Sequence, residues 1–181
     1  LLQLLRGAGA KGLSAMAELS TQDFGRGTGF LRPLLDVPRR TIVDYAVLHG
    51  LKWVEDESNA DIAFDRNYLR HEVLPLLGKR FPGYRETFSR TSRNLAECAL
   101  LLDDLARLDH AAAVVDGRLR VDALRELSGP RAKNLMRHYL AGAGAPTPSA
   151  GRLENMLQQL RGSRDDAQVH ICLGDVLVRR Y

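Results

Sequence analysis

The 181 residues carry 26 Lys and Arg against 22 Asp and Glu, a formal net charge of +4, and 45% are apolar, which is ordinary for a globular protein with one large or two small cores. No apolar run approaches the roughly 18 residues that a membrane span needs, and the apolar start of the chain is too short, and the sequence after it too polar, for a signal peptide. Cys98 and Cys172 lie far apart, with no CxxC and no His at metal-ligand spacing, which argues against a disulfide framework or a zinc site and favours a reducing cytoplasm.

The first half of the chain predicts the edge of an α/β domain. Residues 1–5 resemble the last turn of a helix that Gly7 ends. Because the chain has no initiator Met and opens inside this pattern, we expect it to be a piece of a longer protein. The elements predicted next are a short strand that starts at residue 30 and ends near Pro33, a helix at 38–50 and a strand at 51–54. Together they form a strand–helix–strand unit.

The second half predicts mostly helices. Asp65 is the predicted N-cap of a helix that Pro75 must break or kink. Apolar residues recur about every 3.6 positions across 84–112, which predicts a long amphipathic helix with Cys98 as a small core residue on its stripe. The remaining elements are predicted as helices at 121–127, 131–140 and 149–160 and a β-hairpin at 167–180 around Gly174 and Asp175.

The predicted fold class is therefore α+β, with a boundary near residue 78. Residues 1–78 are the predicted α/β part, and residues 79–181 are a mostly helical domain with a C-terminal β-hairpin.

Polar side chains are concentrated at the end of the second predicted strand. Asp56, Ser58 and Asn59 fit a structural Asx-turn, in which short side chains satisfy the local backbone. They equally fit a carboxylate placed at a strand end, where open α/β sheets bind ligands.

Two arginines on the following helix are predicted to face inward. Arg66 and Arg70 lie about 40° apart at about 100° per residue, on one stripe with Val73. An inward Arg needs an anion, which is either an internal carboxylate (Asp56, Glu57 or Asp61) or a bound phosphate group.

Two further groups of cations have a structural and a functional interpretation each. Arg6 with Gly7 and Gly9 is either a helix C-terminus with a glycine cap or a loop whose N–H groups line an anion site. From 66 to 93 there are seven Lys and Arg against two Glu, which indicates either a solvated face or a docking surface for a polyanion. The most exposed members of that cluster are predicted to be Lys79, Arg80, Arg85, Arg90 and Arg93.

Several segments, in order and at the right spacing, resemble the bacterial tRNA(Ile)-lysidine synthase family. They are LLRGAG (4–9), RPLL (32–35), WVEDESN (53–59), DRNYLR (65–70), VLPLL (73–77), PTPS (146–149) and VRRY (178–181). The likeness covers essentially the whole chain. It implies a nucleotide-hydrolase-like α/β domain of the N-type ATP pyrophosphatases, followed by a substrate-recognition domain.

The resemblance implies a ligase that uses ATP, with magnesium, to adenylylate the wobble cytidine of tRNA(Ile) with a CAU anticodon. Lysine then displaces AMP to form lysidine. Residues are carried over from the family's RGxG, DxSN and RNxxR motifs. They assign Arg66 and Arg6 to anionic reacting groups, and Asp56, Asn59, Asn67 and Arg70 to substrate binding. Lys79, Arg80, Arg85, Arg90 and Arg93 are assigned to tRNA; no metal ligand is assigned.

The family's SGGxDS loop, which holds the ATP phosphates, does not occur in these 181 residues. We therefore predict that this chain alone is inactive and binds no ATP with useful affinity. Calorimetric titration with Mg-ATP is expected to give no heat of binding. Micromolar affinity would instead place the nucleotide site within these residues.

Three other functions are alternatives to lysidine synthesis. Another ATP pyrophosphatase acting on tRNA, such as a thiolation enzyme, would commonly need reactive or cluster-binding cysteines, and neither Cys98 nor Cys172 has such a setting. The second alternative is a non-catalytic RNA-binding module. The third is a helical interaction domain that does not bind nucleic acid. The sequence gives no oligomeric state.

Overall fold

A computed structural model describes residues 1–20, 29–164 and 167–180, with the side chains of residues 19 and 20 excepted. The chain divides into two compact units, Leu1–Glu97 and Cys98–Tyr181, here the N-terminal and C-terminal units. Tyr181, the last residue of the VRRY segment, lies outside the described residues. Within the described residues, no helix is both long and apolar enough to cross a bilayer.

The N-terminal unit is built from short helices and one strand pair. Its helices are α1 (Leu2–Leu5), α2 (Ala10–Leu13), α3 (Arg39–Leu48), α4 (Asp65–Tyr68) and α5 (Leu74–Arg80), with a 3₁₀ turn at Glu57–Ala60 and a π-helical turn at Leu69–Val73. The strands β1 (Leu19–Ser20) and β2 (Phe30–Leu31) pair antiparallel. The long helix α6 (Tyr84–Ala113) follows, and the division between the units falls within it.

The predicted strand–helix–strand unit is confirmed only in part. The helix forms, and the first strand is short and ends before Pro33, as predicted. Residues 51–54 have no regular structure, so the second predicted strand is wrong. A strand exists only where its N–H and C=O groups pair with a neighbour, and the apolar run alone did not supply that partner.

The segment before Pro75 is helical throughout but changes its pitch. Asp65 is the first helical residue, and Phe64 takes the N-cap position predicted for Asp65. The π turn at Leu69–Val73 then leads into α5, where Pro75 occupies the first turn. A proline has no N–H and displaces the carbonyl of the preceding turn, so the wider π turn accommodates the predicted irregularity without ending the helix.

The C-terminal unit has a continuous apolar core. Its elements after α6 are β3 (Val114–Val115), β4 (Arg118–Leu119), α7 (Val121–Glu126), α8 (Gly129–Gly142), α9 (Ala150–Gly162), β5 (His170–Leu173) and β6 (Val176–Arg179). Leu124 from α7, Leu135 and Met136 from α8, and Leu153 and Met156 from α9 are at most 1% exposed. The predicted helices and the closing hairpin are confirmed, and the fold class is α+β.

Arginines join the ends of two helices in this unit. Arg161 donates to the carbonyls of Leu124 (2.9 Å from Nε) and Leu127 (2.6 Å) at the end of α7. Arg125 donates in return to the carbonyls of Arg161 (3.0 Å) and Ser163 (2.9 Å) at the end of α9. The C-terminal end of a helix leaves carbonyls without partners and carries partial negative charge, so cations there stabilise both helices.

Candidate functional site

A short hydrogen-bonded loop precedes α4. The Asp56 carboxylate accepts from the Ser58 N–H (2.9 Å) and caps the 3₁₀ turn, and the Asp61 carboxylate accepts from the Ala63 N–H (2.9 Å). The predicted Asx-turn is therefore present. Hydrogen bonds from Ser58, through its side chain and then its N–H, lower the pKa of Asp56. That carboxylate consequently stabilises the turn above the ordinary Asp pKa and stops doing so as pH falls through the lowered value.

Asn67 fixes this loop to the helix. Its side chain is buried, at 7% exposure, and its amide nitrogen donates to the carbonyls of Ser58 (2.8 Å) and Asp61 (2.9 Å). Both amide hydrogens are thereby used on the loop backbone. The geometry gives Asn67 a positioning role, and its predicted contact with substrate stays a prediction.

Arg66 faces solvent, so the predicted inward orientation is wrong. Its neighbour Asn67 takes the buried direction, while Arg70 and Val73 are half-buried. The stripe was calculated with α-helical spacing, but the π turn begins at Leu69 and changes the angles that follow. Across the described chain Arg66 has no ion pair or hydrogen bond, so the internal pair with an acidic residue of the loop does not form. Its guanidinium is available to an anionic ligand.

Arg6 contacts the start of α4. Its guanidinium lies 3.3 Å from the Asp65 carboxylate, with the side chains 58% and 72% exposed. A pair this exposed adds little stability, but it ties the glycine loop to the segment that carries Arg66. Gly7 has φ +72°, which confirms the predicted glycine after α1. The anion-binding interpretation of the loop stays a prediction.

Five cations form a surface on α5 and α6, which we call the basic surface: Lys79, Arg80, Arg85, Arg90 and Arg93. All are exposed, as predicted. None forms a salt bridge within the described residues. Two lie beside rings: the Arg80 guanidinium is 5.5 Å from the centre of the Phe81 ring, and the Arg85 Nε donates to the Tyr84 hydroxyl at 3.1 Å. Their charge is therefore not neutralised locally.

The described residues contain no group of three or more His, Cys, Asp or Glu that could hold a metal ion. The magnesium implied by the resemblance is accordingly assigned to none of them. Cys98 and Cys172 are free thiols, and both are exposed. The predicted core position of Cys98 is wrong, because the buried face of α6 runs through Ala106 and Ala113 instead.

Two contacts at this site were not anticipated. Asp65 was assigned only a capping role, yet it pairs with Arg6 across 59 positions of sequence. His71 was assigned no role, yet its Nε2 lies 3.0 Å from the Asn59 carbonyl oxygen. Its spacing of four residues from Asn67 was the one signal available, since side chains four apart share a helix face.

Comparison with known proteins supports both halves of the resemblance. A family model for the PP-loop domain matches residues 1–77, and a model for the TilS substrate binding domain matches residues 119–181. A tRNA(Ile)-lysidine synthase of Nitrosomonas europaea is 45% identical over 179 residues, which cover 99% of this chain and 39% of that protein.

Two further relatives carry the same name. The one from Ralstonia nicotianae is 45% identical over 181 residues, which cover 100% of this chain and 38% of that protein. The one from Salmonella typhimurium is 43% identical over 182 residues, which cover 100% of this chain and 42% of that protein. The chain thus spans about two fifths of the length of the curated relatives it matches. Residues 1–77 therefore match the PP-loop domain model and residues 119–181 the TilS substrate binding domain model, in a chain that is similar along its whole length to proteins named tRNA(Ile)-lysidine synthase.

Proposed function

We propose that this chain is part of a tRNA(Ile)-lysidine synthase. The whole protein would use ATP to adenylylate the wobble cytidine of tRNA(Ile) with a CAU anticodon and would then couple lysine to it. The proposal rests on one observation: the same chain matches both the PP-loop domain model and the TilS substrate binding domain model. A cytoplasmic location follows from the proposal, since that is where tRNA is modified.

The site residues have the chemistry that this reaction needs. Adenylyl transfer develops negative charge on phosphoryl oxygens, which a planar guanidinium binds through two parallel hydrogen bonds. Arg66 is exposed and has no ion pair or hydrogen bond within the described residues, and Arg6 pairs with Asp65, the residue before Arg66 in the sequence. Asp56 and Asn59 lie on the hydrogen-bonded loop and offer oxygen acceptors that suit the ammonium groups of lysine. Arg70 is proposed to bind substrate from the following turn.

The competing functions have weaker support. A thiolation enzyme would commonly use reactive cysteines, whereas Cys98 and Cys172 are exposed thiols outside any metal-binding group of the described residues. A non-catalytic RNA-binding module would not require the PP-loop match. A helical interaction domain without a nucleic-acid partner would not explain why the basic surface carries five exposed cations.

The direct test is lysidine formation by the full-length protein. It is incubated with ATP, lysine and a tRNA(Ile) transcript carrying the CAU anticodon, and mass spectrometry measures the modified nucleoside. Lysidine is expected only with this transcript, and not when the wobble cytidine is replaced by uridine. Absence of product from the unmodified transcript contradicts the proposal.

The basic surface is expected to contribute to tRNA docking. Phosphate contacts release counterions, so log affinity falls linearly with log salt, with a slope of about −0.9 per neutralised phosphate. Arg85→Glu with Arg90→Glu should weaken binding of any tRNA and make the slope less steep by about two. Filter binding at several salt concentrations measures both quantities.

A matched control comes from another part of the N-terminal unit. Arg39 and Arg40 are exposed on α3, outside the basic surface. Reversing both changes the net charge equally but is expected to leave the salt slope near wild type. Equal effects of the two double reversals would mean that only overall charge matters and that the basic surface is a solvated face.

A further inference from the structure

The loop that carries Asp56 and Asn59 is held by hydrogen bonds. Every residue from 55 to 66 is exposed, so apolar burial does not fix its conformation. Its internal backbone bonds join the Asn59 N–H to the Asp56 carbonyl (3.0 Å), the Asp61 N–H to the Ser58 carbonyl (3.2 Å) and the Phe64 N–H to the Asp61 carbonyl (3.4 Å), besides the two Asx turns. Exposed bonds of this kind open readily unless other groups restrain the loop.

Two side chains on one helix face supply that restraint. Asn67 binds the carbonyls of Ser58 and Asp61, and His71, four residues later, contacts the carbonyl between them at Asn59. A carbonyl oxygen only accepts, so His71 Nε2 must be the donor. The neutral tautomer with Nε2–H and the imidazolium both provide that hydrogen, and the contact does not require a charged ring.

The π turn sets where His71 lies. It spans Leu69–Val73, directly after Asn67 and Tyr68, and His71 is its central residue. A π turn widens the helix and changes the direction of the side chains inside it. The π turn before Pro75 therefore sets the direction of the His71 side chain, whose Nε2 contacts the Asn59 carbonyl oxygen.

We propose that His71 is a positioning residue for lysidine formation, which acts with Asn67 to hold the loop so that Asp56 and Asn59 keep a fixed place relative to α4, the helix that carries Arg66. The inference rests on the proposed function for its catalytic consequence, whereas the restraint on the loop stands on the contacts alone. Preorganised groups accelerate a reaction because the loop does not have to be ordered during it. His71 itself contacts the Asn59 carbonyl and no reacting group.

Two variants of the full-length protein isolate the hydrogen bond. His71→Gln places an amide N–H near the position of Nε2, and His71→Met has nearly the same length and shape as Gln but no donor. Hydrogen exchange of the loop amides (Ser58, Asn59, Asp61 and Ala63) measures the restraint. Steady-state kinetics for lysine, tRNA affinity and thermal unfolding are measured on the same samples.

His71→Met is expected to speed exchange of those amides about fivefold and to lower kcat/KM for lysine about five- to tenfold, the scale of one neutral hydrogen bond. Affinity for tRNA and the melting temperature should stay near wild type, because the loop is exposed and lies outside the basic surface. His71→Gln is expected to bring exchange and kinetics back to within about twofold of wild type.

Three results overturn the inference: unchanged exchange in His71→Met, faster exchange with unchanged kinetics, or His71→Gln behaving like His71→Met. A wild-type protein that forms no lysidine overturns the proposed function and, with it, the catalytic consequence. The exchange measurements separate that failure from a failure of the restraint, since they need no substrate.

Discussion

Arg66→Lys in the full-length protein is expected to lower the rate of lysidine formation by about one and a half to three orders of magnitude. Lys keeps the charge but loses the planar guanidinium that binds two phosphoryl oxygens at once. Loss of such a contact in the transition state costs about 2–4 kcal/mol. Single-turnover rates at saturating ATP and lysine measure the effect without a contribution from product release.

The fold and tRNA affinity of Arg66→Lys should stay near wild type. Arg66 is exposed and has no ion-pair or hydrogen-bond partner within the described residues, so the substitution removes no internal contact. Arg40→Lys is a suitable control, since Arg40 is also exposed on a helix and, among the described residues, contacts only Asp44, at 3.9 Å. A variant that is destabilised yet fully active per folded molecule would show that Arg66 has a structural role instead.

Local rules were enough to predict much of the site's framework. The Asx-turn at Asp56 depends on a carboxylate two residues before an N–H. The end of α1 depends on Gly7, and the turn between the two hairpin strands depends on Gly174. Both have positive φ values, which other residues rarely adopt. These features involve residues close together in sequence, so their signals are present in any short window.

Features that depend on distant partners were not predictable in the same way. The apolar run at 51–54 needed a neighbouring strand, and the orientation of Arg66 needed knowledge of the carbonyls that Asn67 binds. The π turn broke the assumption of constant helical spacing between Arg66 and Val73. His71 lay outside every motif, and its spacing of four residues from Asn67 was too weak a signal to single it out.

The buried face of the long helix α6 was likewise not predictable from local sequence. A period of about 3.6 residues predicts the helix well but leaves its phase open over 30 residues. The buried positions are Ala106, Asp109 and Ala113, whereas Cys98 on the predicted stripe is exposed. An acidic residue therefore occupies an inward position that apolar patterning could not indicate.

The partner of Asp109 explains how a carboxylate tolerates burial. Its side chain is 3% exposed, and the half-exposed Arg131 guanidinium on α8 donates to both of its oxygens, with Nε at 3.2 Å. The hydrogen bond raises the pKa of Arg131. A paired buried charge is tolerated, but the same charge without its partner carries the full cost of desolvation.

Arg131→Met is therefore expected to destabilise the C-terminal unit by about 2–3 kcal/mol, less than for a fully buried pair because solvent already screens half of Arg131. Native-state hydrogen exchange of the core amides of Leu135 and Leu153 measures this loss within the intact protein. Asp109→Leu combined with Arg131→Met removes both charges and should recover to within about 1 kcal/mol of wild type.

Arg107→Met is the matched control, on α6, the helix that carries Asp109. Arg107 pairs with Asp104, and both side chains are at least 60% exposed, so its loss should cost less than about 0.5 kcal/mol. If Arg131→Met costs no more than this control, the Asp109 carboxylate finds water or another donor when Arg131 is removed. A double variant as unstable as Arg131→Met would show that packing around Arg131, and not the unpaired charge, sets the stability. If stability recovers in the double variant but not in Arg131→Met, the Arg131 ion pair is what allows the Asp109 carboxylate to be buried between α6 and α8.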